Sequence, residues 1–239
     1  MQDYNLNFYS KLNEDFWYIK SRQELIYKFI KKFKDEKNLK ILDAGCGMGF
    51  NFNALKPFGD VYGIDINKRA LKECRKFDYK KLELNDICNL DYTDFFDIII
   101  SIELLEHVED DEYLLKKFYT ALKKDGVLIL TVPAFKFLWG KDDELSRHYR
   151  RYTKKGLNRI LKENNFSIVY LSYRYFFIFF PSLLIFILQR FYKEKNSLEF
   201  STSPLLDKFL RRIMNIENKL IERGFTFPFG VGLVCVAKK

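Results

Sequence analysis

The segment Ile41-Leu42-Asp43-Ala44-Gly45-Cys46-Gly47-Met48-Gly49 carries a strand-like apolar run straight into glycines at alternate positions. Glycine has no Cβ and tolerates positive φ, so such a turn lets a ligand lie directly against the backbone. The surrounding pattern fits a strand-turn-helix unit. Short apolar runs recur at Lys40 to Asp43, Val61 to Asp65, Lys81 to Leu84, Phe96 to Ile102 and Gly126 to Val132, with helix-like segments between them. Strands alternating with helices predict an α/β protein with a parallel sheet joined by crossovers. The runs FDIIISI and VLILTV are nearly unbroken, as strands covered on both faces should be.

At 239 residues with 48% hydrophobic content, the chain can bury the core of a single domain, read here as residues 1–239. Residues 1–38 form a helical cap: Ile19, Leu25, Ile26, Phe29, Ile30 and Phe33 fall near helical spacing. After an aromatic and basic stretch from Ala134 to Tyr152, Thr153 caps a helix ending near Asn164 and Asn165, and a strand follows from Phe166 to Tyr173. Residues 174–230 then interrupt the alternation as a helical insertion, before a last strand from Val231 to Ala237. Within the insertion, Ser203-Pro204 reads as an N-cap with proline at the first helical position, and Gly224 as the matching stop.

The glycine spacing is GxGxG, with Phe50 where the third glycine of the dinucleotide fingerprint GxGxxG would stand. Asp43 lies two residues before the first glycine, where its carboxylate would repel a pyrophosphate. Asp65 ends the second strand, the position from which a carboxylate accepts both hydroxyls of an adenosine ribose. A nucleoside with a cationic 5′ substituent satisfies both carboxylates. S-adenosylmethionine is such a molecule.

On these residues the sequence resembles the class I S-adenosylmethionine-dependent methyltransferases, from about Asp15 to Ile168 together with the last strand. The resemblance implies a Rossmann-like methyltransferase fold: a mostly parallel seven-stranded sheet with helices on both faces and an apolar helical insertion before the last strand. It implies that Asp43, Gly45, Cys46, Gly47 and Gly49 cradle the methionine part, that Asp65 holds the ribose, and that Ile66 lies beside the adenine. Asn85-Asp86-Ile87 resembles the adenine-edge motif, and Ser101, Ile102 and Glu103 resemble the backbone contact region after the fourth strand. Phe16-Trp17-Tyr18 with Arg22 is similar to a WWFxxR opening found in one subgroup. The stretch from Arg147 to Thr153 is similar to its HYRRYT motif, and Phe227-Pro228-Phe229-Gly230 also fits. That subgroup is associated with membrane-linked sugars or isoprenoids.

Several residues admit a chemical and a plain structural reading. Arg22 either pairs with the methionine carboxylate or is a solvated arginine on the first helix. Cys46 reads as a small side chain tolerated in the loop, since methyl transfer needs no covalent intermediate. His107 and His148 are the candidate catalytic bases, against the alternatives of a structural turn residue and a solvated basic loop. Arg147, Arg150, Arg151, Lys154 and Lys155 beside His148 could hold a phosphate of the acceptor. The four cysteines show no CxxC pair and there are two histidines, so neither a disulfide framework nor a metal centre is expected.

Charge is unevenly spread. Met1 to Leu145 holds 23 basic and 26 acidic residues, whereas Ser146 to Lys239 holds 18 basic and 6 acidic, a local net charge of +12. Such asymmetry points to an anionic partner of the C-terminal part. Tyr175 to Gln189 is almost wholly apolar but, at roughly 22 Å as a helix, falls short of a membrane span. Flanked by Arg174, Arg190, Lys193 and Lys195, it reads as an interfacial anchor, with a lid over the active site as the alternative. No secretion signal is read at the N-terminus, which predicts a cytoplasmic protein, peripheral on the inner face of the membrane in the anchor reading. The expected function is methyl transfer from S-adenosylmethionine to an oxygen, with nitrogen as the alternative, of a lipid-linked or amphiphilic acceptor. A soluble small-molecule acceptor and a non-catalytic cofactor-binding module are the alternatives. Nucleic acid is not the expected partner, because the basic tail lacks a recognisable RNA-binding module.

Overall fold

The computed structural model describes residues 15–191 and 203–239, with the side chains of residues 189–191 left out. Seven strands form one sheet in the order β3-β2-β1-β4-β5-β7-β6: β1 (Leu39–Ala44), β2 (Gly59–Asp65), β3 (Lys81–Leu84), β4 (Phe96–Ile102), β5 (Leu122–Pro133), β6 (Ser167–Arg174) and β7 (Gly232–Lys238). β1 to β5 pair in parallel, while β7 inserts antiparallel between β5 and β6. The mostly parallel arrangement expected from the sequence is therefore present. Ile98, Ile99 and Ile100 of β4 are completely buried, because helices cover both faces of this central strand.

The helices are α1 (Trp17–Phe33), α2 (Phe52–Leu55), α3 (Lys68–Cys74), α4 (Asp111–Ala121), α5 (Lys141–Leu145), α6 (Lys154–Glu163), α7 (Phe179–Phe191) and α8 (Pro204–Glu222). Their starts follow local chemistry. The Asn67 side chain accepts from the backbone N–H groups of Arg69 and Ala70, Thr153 accepts from Gly156, and Ser203 accepts from Leu206. Gly224 ends α8 with φ +92°, a conformation open to glycine at little cost.

α1 and α8 pack against each other. The Trp17 backbone N–H donates to Asp207 at 2.9 Å, Asn218 Nδ2 donates to the Ser21 carbonyl at 2.8 Å, and Lys28 meets Glu222 at 2.8 Å. α8 thereby holds α1, whose first residues Trp17, Tyr18 and Arg22 reach the cavity at the carboxyl ends of the strands while Leu25, Ile26, Phe29 and Ile30 pack into the main core. The order of the sheet reverses beside β1, whose neighbours are β2 and β4, and ligands of open α/β sheets bind at such a switch point.

The apolar segment is divided rather than uniform. Its helix begins at Phe179, so Pro181 lies in the first turn, where the missing N–H breaks no hydrogen bond, and not mid-helix as its place in the segment implied. No helix among the described residues is long and apolar enough to cross a membrane. Of the four cations expected to flank the segment at a surface, Arg174 is instead buried over the Tyr175 ring at 4.4 Å, and Lys193, Lys195 and the side chain of Arg190 lie outside the described residues.

Candidate active site

A cavity of about 820 Å³ opens at the switch point, walled by the loops that leave β1, β2, β3 and β4 and closed over by α1 and α7. The glycine turn forms its floor. Gly45, Gly47 and Gly49 have φ of +66°, +55° and +81°, which explains the alternate glycines: every second residue must adopt the left-handed region. A Cβ on Gly45 would stand 2.8 Å from Leu104 Cδ1.

The β1 and β2 loops are tied through Asp65. Its Oδ2 accepts the Gly47 N–H and its Oδ1 the Asn67 N–H, both at 2.8 Å. Both carboxylate oxygens thus help to set the course of the two loops. Ile66, 64% exposed, projects into the cavity beside it. Asp86 and Ile87 line the wall after β3, where Asp86 also accepts the Cys88 N–H at 2.9 Å, and Ile102 lines it after β4. Gly45, Cys46 and Gly47 complete the floor.

Two expected cofactor residues stand behind this wall and do not line the cavity. Asp43 is buried, accepting from Asn51 Nδ2 at 3.1 Å and from the Tyr79 hydroxyl at 2.9 Å. Burial pushes its carboxyl up to about 6 despite those bonds. Gly49 faces Phe77, which a Cβ would meet at 2.7 Å. Both residues shape the loop from beneath. Cys46 lines the cavity, but its Sγ lies 3.9 Å from that of Cys74, and this contact together with burial holds the thiol well above its ordinary pKa. Arg22 is 7% exposed, lines the cavity and stands over the Tyr18 ring at 5.6 Å, which removes the solvated-arginine reading.

The opposite, polar end of the cavity gathers His107 and His148, whose ring centroids are 4.5 Å apart. His148 Nδ1 lies 2.8 Å from Asp143 Oδ1. Burial would raise Asp143, but bonds from His148 and Arg151 outweigh it and hold the carboxyl below its usual range. An ionised carboxylate only accepts, so His148 carries its proton on Nδ1 and leaves Nε2 as the basic nitrogen. Burial, with His148 adding to it, lowers His107 to about 4, and a backbone hydrogen bond to Ser146 opposes the shift. Glu106 lies with them, one ligand atom of each residue within 4.8 Å of the others, and is fully buried with no donor to its carboxyl oxygens. Burial and the nearby Glu103 carboxylate hold Glu106 well above the normal range.

The basic stretch is largely committed to internal partners. Arg151 binds Asp143 through Nε and Nη2 at 2.8 and 2.9 Å, and Arg150 binds Asp111 at 2.8 Å and the Glu109 carbonyl. These two arginines are therefore structural, contrary to the expected phosphate-holding role. The sequence reading also missed Glu106 and Asp143. Each lay in an acidic stretch with nothing in its spacing to mark burial. Ile178, Ser182, Ile185 and Phe186 of the apolar segment line the cavity too, at helical spacing that could have marked a single inward face.

A glycine-cradled nucleoside site at the switch point of a β3-β2-β1-β4-β5-β7-β6 sheet defines the fold of the class I S-adenosylmethionine-dependent methyltransferases. Residues 18–171 match the profile of a methyltransferase-domain family, and the chain belongs to that family. It is 33% identical over 124 residues to the ubiquinone biosynthesis O-methyltransferase of Pelagibacter ubique, a match covering 47% of this chain and 50% of that one. The chain thus spans about half the length of that relative. It is 32% identical over 164 residues to an uncharacterised protein of Methanocaldococcus jannaschii, covering 64% and 68% of the two chains. Among solved structures, the plantazolicin methyltransferase BpumL in complex with SAH superposes with a TM-score of 0.62 at 17% identity, over 98% of this chain and 87% of that one.

Proposed function

We propose that the chain transfers the methyl group of S-adenosylmethionine to a hydroxyl oxygen of an amphiphilic acceptor, of the quinol type or lipid-linked, at a membrane surface. The observation that carries this reading is the division of α7 into two apolar faces. Ile178 before the helix and Ser182, Ile185 and Phe186 within it form the cavity roof, while Phe180, Leu184, Ile187 and Leu188 are 65%, 58%, 40% and 46% exposed. An apolar roof suits an acceptor's tail, and an exposed apolar strip in a C-terminal part richer in basic than in acidic residues suits an anionic bilayer. The ubiquinone relative supports an acceptor with a polar ring and a long apolar tail.

S-adenosylmethionine, when bound, supplies a methyl group already activated by its sulfonium. The protein's contribution is alignment and exclusion of water. Asp65 would accept the ribose hydroxyls, Gly45, Cys46 and Gly47 would hold the methionine part, and Arg22 would pair with its carboxylate. Asp43 and Gly49 fix the loop from beneath. Ile66, Asp86, Ile87 and Ile102, which line the same wall, would hold the adenine. The acceptor hydroxyl would then lie at the polar end, beside His107 and His148.

Vesicle partitioning tests the acceptor reading. The purified chain is expected to co-sediment with phosphatidylglycerol vesicles, and the double variant Phe180→Ser, Leu184→Ser to lose most of that binding while keeping its affinity for S-adenosylmethionine. If the chain ignores the vesicles while removal of 175–189 abolishes turnover, α7 is a lid and the acceptor is soluble. Calorimetric binding of the cofactor with no methyl transfer to any cell extract would instead make the chain a binding module.

A further inference from the structure

At the polar end of the cavity, the geometry points to a site for a divalent first-row metal cation held by Glu106, His107 and His148. One ligand atom from each lies within 4.8 Å of the others. Around a tetrahedral cation with bonds near 2.1 Å, donors stand roughly 3.4 Å apart, so modest side-chain rotations bring the three into range.

Three separate observations converge on a cation rather than on a chance polar cluster. Glu106 has no solvent exposure, and its carboxyl oxygens find no donor among the surrounding groups, only the neighbouring Glu103 carboxyl, a juxtaposition that a cation relieves. His148 has its Nδ1 anchored on Asp143 at 2.8 Å, which fixes the ring and leaves Nε2 as its lone-pair donor. His107 hydrogen-bonds the backbone of Ser146, while its buried Nδ1 has no partner and is left as the second imidazole donor. Both imidazoles are thus oriented by acceptors on their far nitrogens, the arrangement that metal-ligating histidines adopt. Asp143 is itself held on both oxygens by Arg151, so the support behind His148 is rigid.

Two imidazoles and one carboxylate favour Zn²⁺, Mn²⁺ or Fe²⁺ over Ca²⁺, and leave coordination positions open toward the cavity. This inference rests on the proposed O-methyl transfer for its chemical role. The open position takes the acceptor's hydroxyl oxygen, whose proton is lost to water once the cation polarises the O–H bond. The oxygen then forms its bond to the methyl carbon as the carbon–sulfur bond breaks, and the sulfur keeps the electron pair. His107 and His148 act in this account as ligands rather than as bases.

The test is titration of the chelator-stripped full chain with Mn²⁺ alone, followed by electron paramagnetic resonance and calorimetry. Mn²⁺ binds thiols poorly, which keeps the four cysteines out of the readout. One cation per chain is expected, with affinity lowered 10-fold or more in Glu106→Gln and in His148→Gln, while both variants keep the wild-type circular dichroism and cofactor affinity. Absence of stoichiometric uptake of either Mn²⁺ or Zn²⁺, or uptake unchanged in both variants, overturns the site. Should a variant fail to fold, broadening of the His107 and His148 ring resonances of the wild-type chain by one equivalent of Mn²⁺ decides the matter, and unbroadened rings refute it. Methyl transfer that survives exhaustive chelation would sink the cation while leaving the methyltransferase reading intact. Cation uptake without any lipid methylation would do the reverse.

Discussion

The carboxylate of Glu217, without solvent exposure, accepts the backbone N–H of Tyr175 at 2.6 Å, where the chain turns with φ +63° from β6 toward α7. The same carboxylate accepts from Phe176 at 2.8 Å and from Phe177 at 3.4 Å. One side chain on α8 therefore sets the course of the segment that leads into the cavity roof.

Glu217→Ala leaves these donors buried and unpaired, at about 1–3 kcal/mol for each donor that water cannot reach. A loss of about 3 kcal/mol is expected, or roughly 6–12 °C in melting temperature for a chain of this size. Limited proteolysis should cut first between β6 and α8. A melting temperature within 2 °C of wild type would remove Glu217 from this role.

Asp143→Ala strips Arg151 and His148 of their shared partner. The Arg151 side chain is only 6% exposed, so it becomes a buried cation without a counter-ion, and the expected cost is about 3–5 kcal/mol. Asp143→Asn should fold better but loosen the His148 tautomer, visible as a change in its ring ¹⁵N shifts. Unchanged shifts would show that Asp143 does not fix the ring.

Gly45→Ala combines a left-handed backbone at φ +66° with a Cβ 2.8 Å from Leu104 Cδ1. Cofactor affinity measured by calorimetry should fall at least 10-fold. Cys46→Ala should keep affinity and turnover within about threefold, since this thiol is held protonated by Cys74 and burial. A dead Cys46→Ala enzyme would revive the cysteine as a nucleophile.

Asp43 makes binding pH-dependent. Burial raises its carboxyl to about 6 from the usual 3.8, so the ligand-free fold loses stability as pH rises between those values, because the unfolded chain ionises first. A ligand with local positive charge favours the ionised form and lowers that pKa. Calorimetry in buffers of different ionisation enthalpy should therefore show proton release on cofactor binding near pH 6 and almost none near pH 8. Equal enthalpies in all buffers at pH 6 would contradict this coupling.

The glycine turn and several helix ends are legible in the sequence, because their signals are local. Alternate glycines force a particular turn, a carboxylate ends the strand beside it, and Thr153, Ser203 and Gly224 mark helix ends by their own chemistry. The acceptor half is not, because its meaning lies in tertiary contacts. Glu106 and His107 follow β4, whereas Asp143 and His148 follow β5, and no sequence interval predicts that they meet. Arg150 and Arg151 looked like free cations for the same reason: Asp111 and Asp143, which neutralise them, come from other elements. The apolar segment hid its inward face because its outward face is apolar as well.

The most direct test is to incubate the enzyme with methyl-labelled S-adenosylmethionine and a fractionated lysate, then count the label in organic and aqueous phases. The account predicts alkali-stable label in a lipid-soluble product. Label confined to water-soluble molecules, RNA or protein would contradict it.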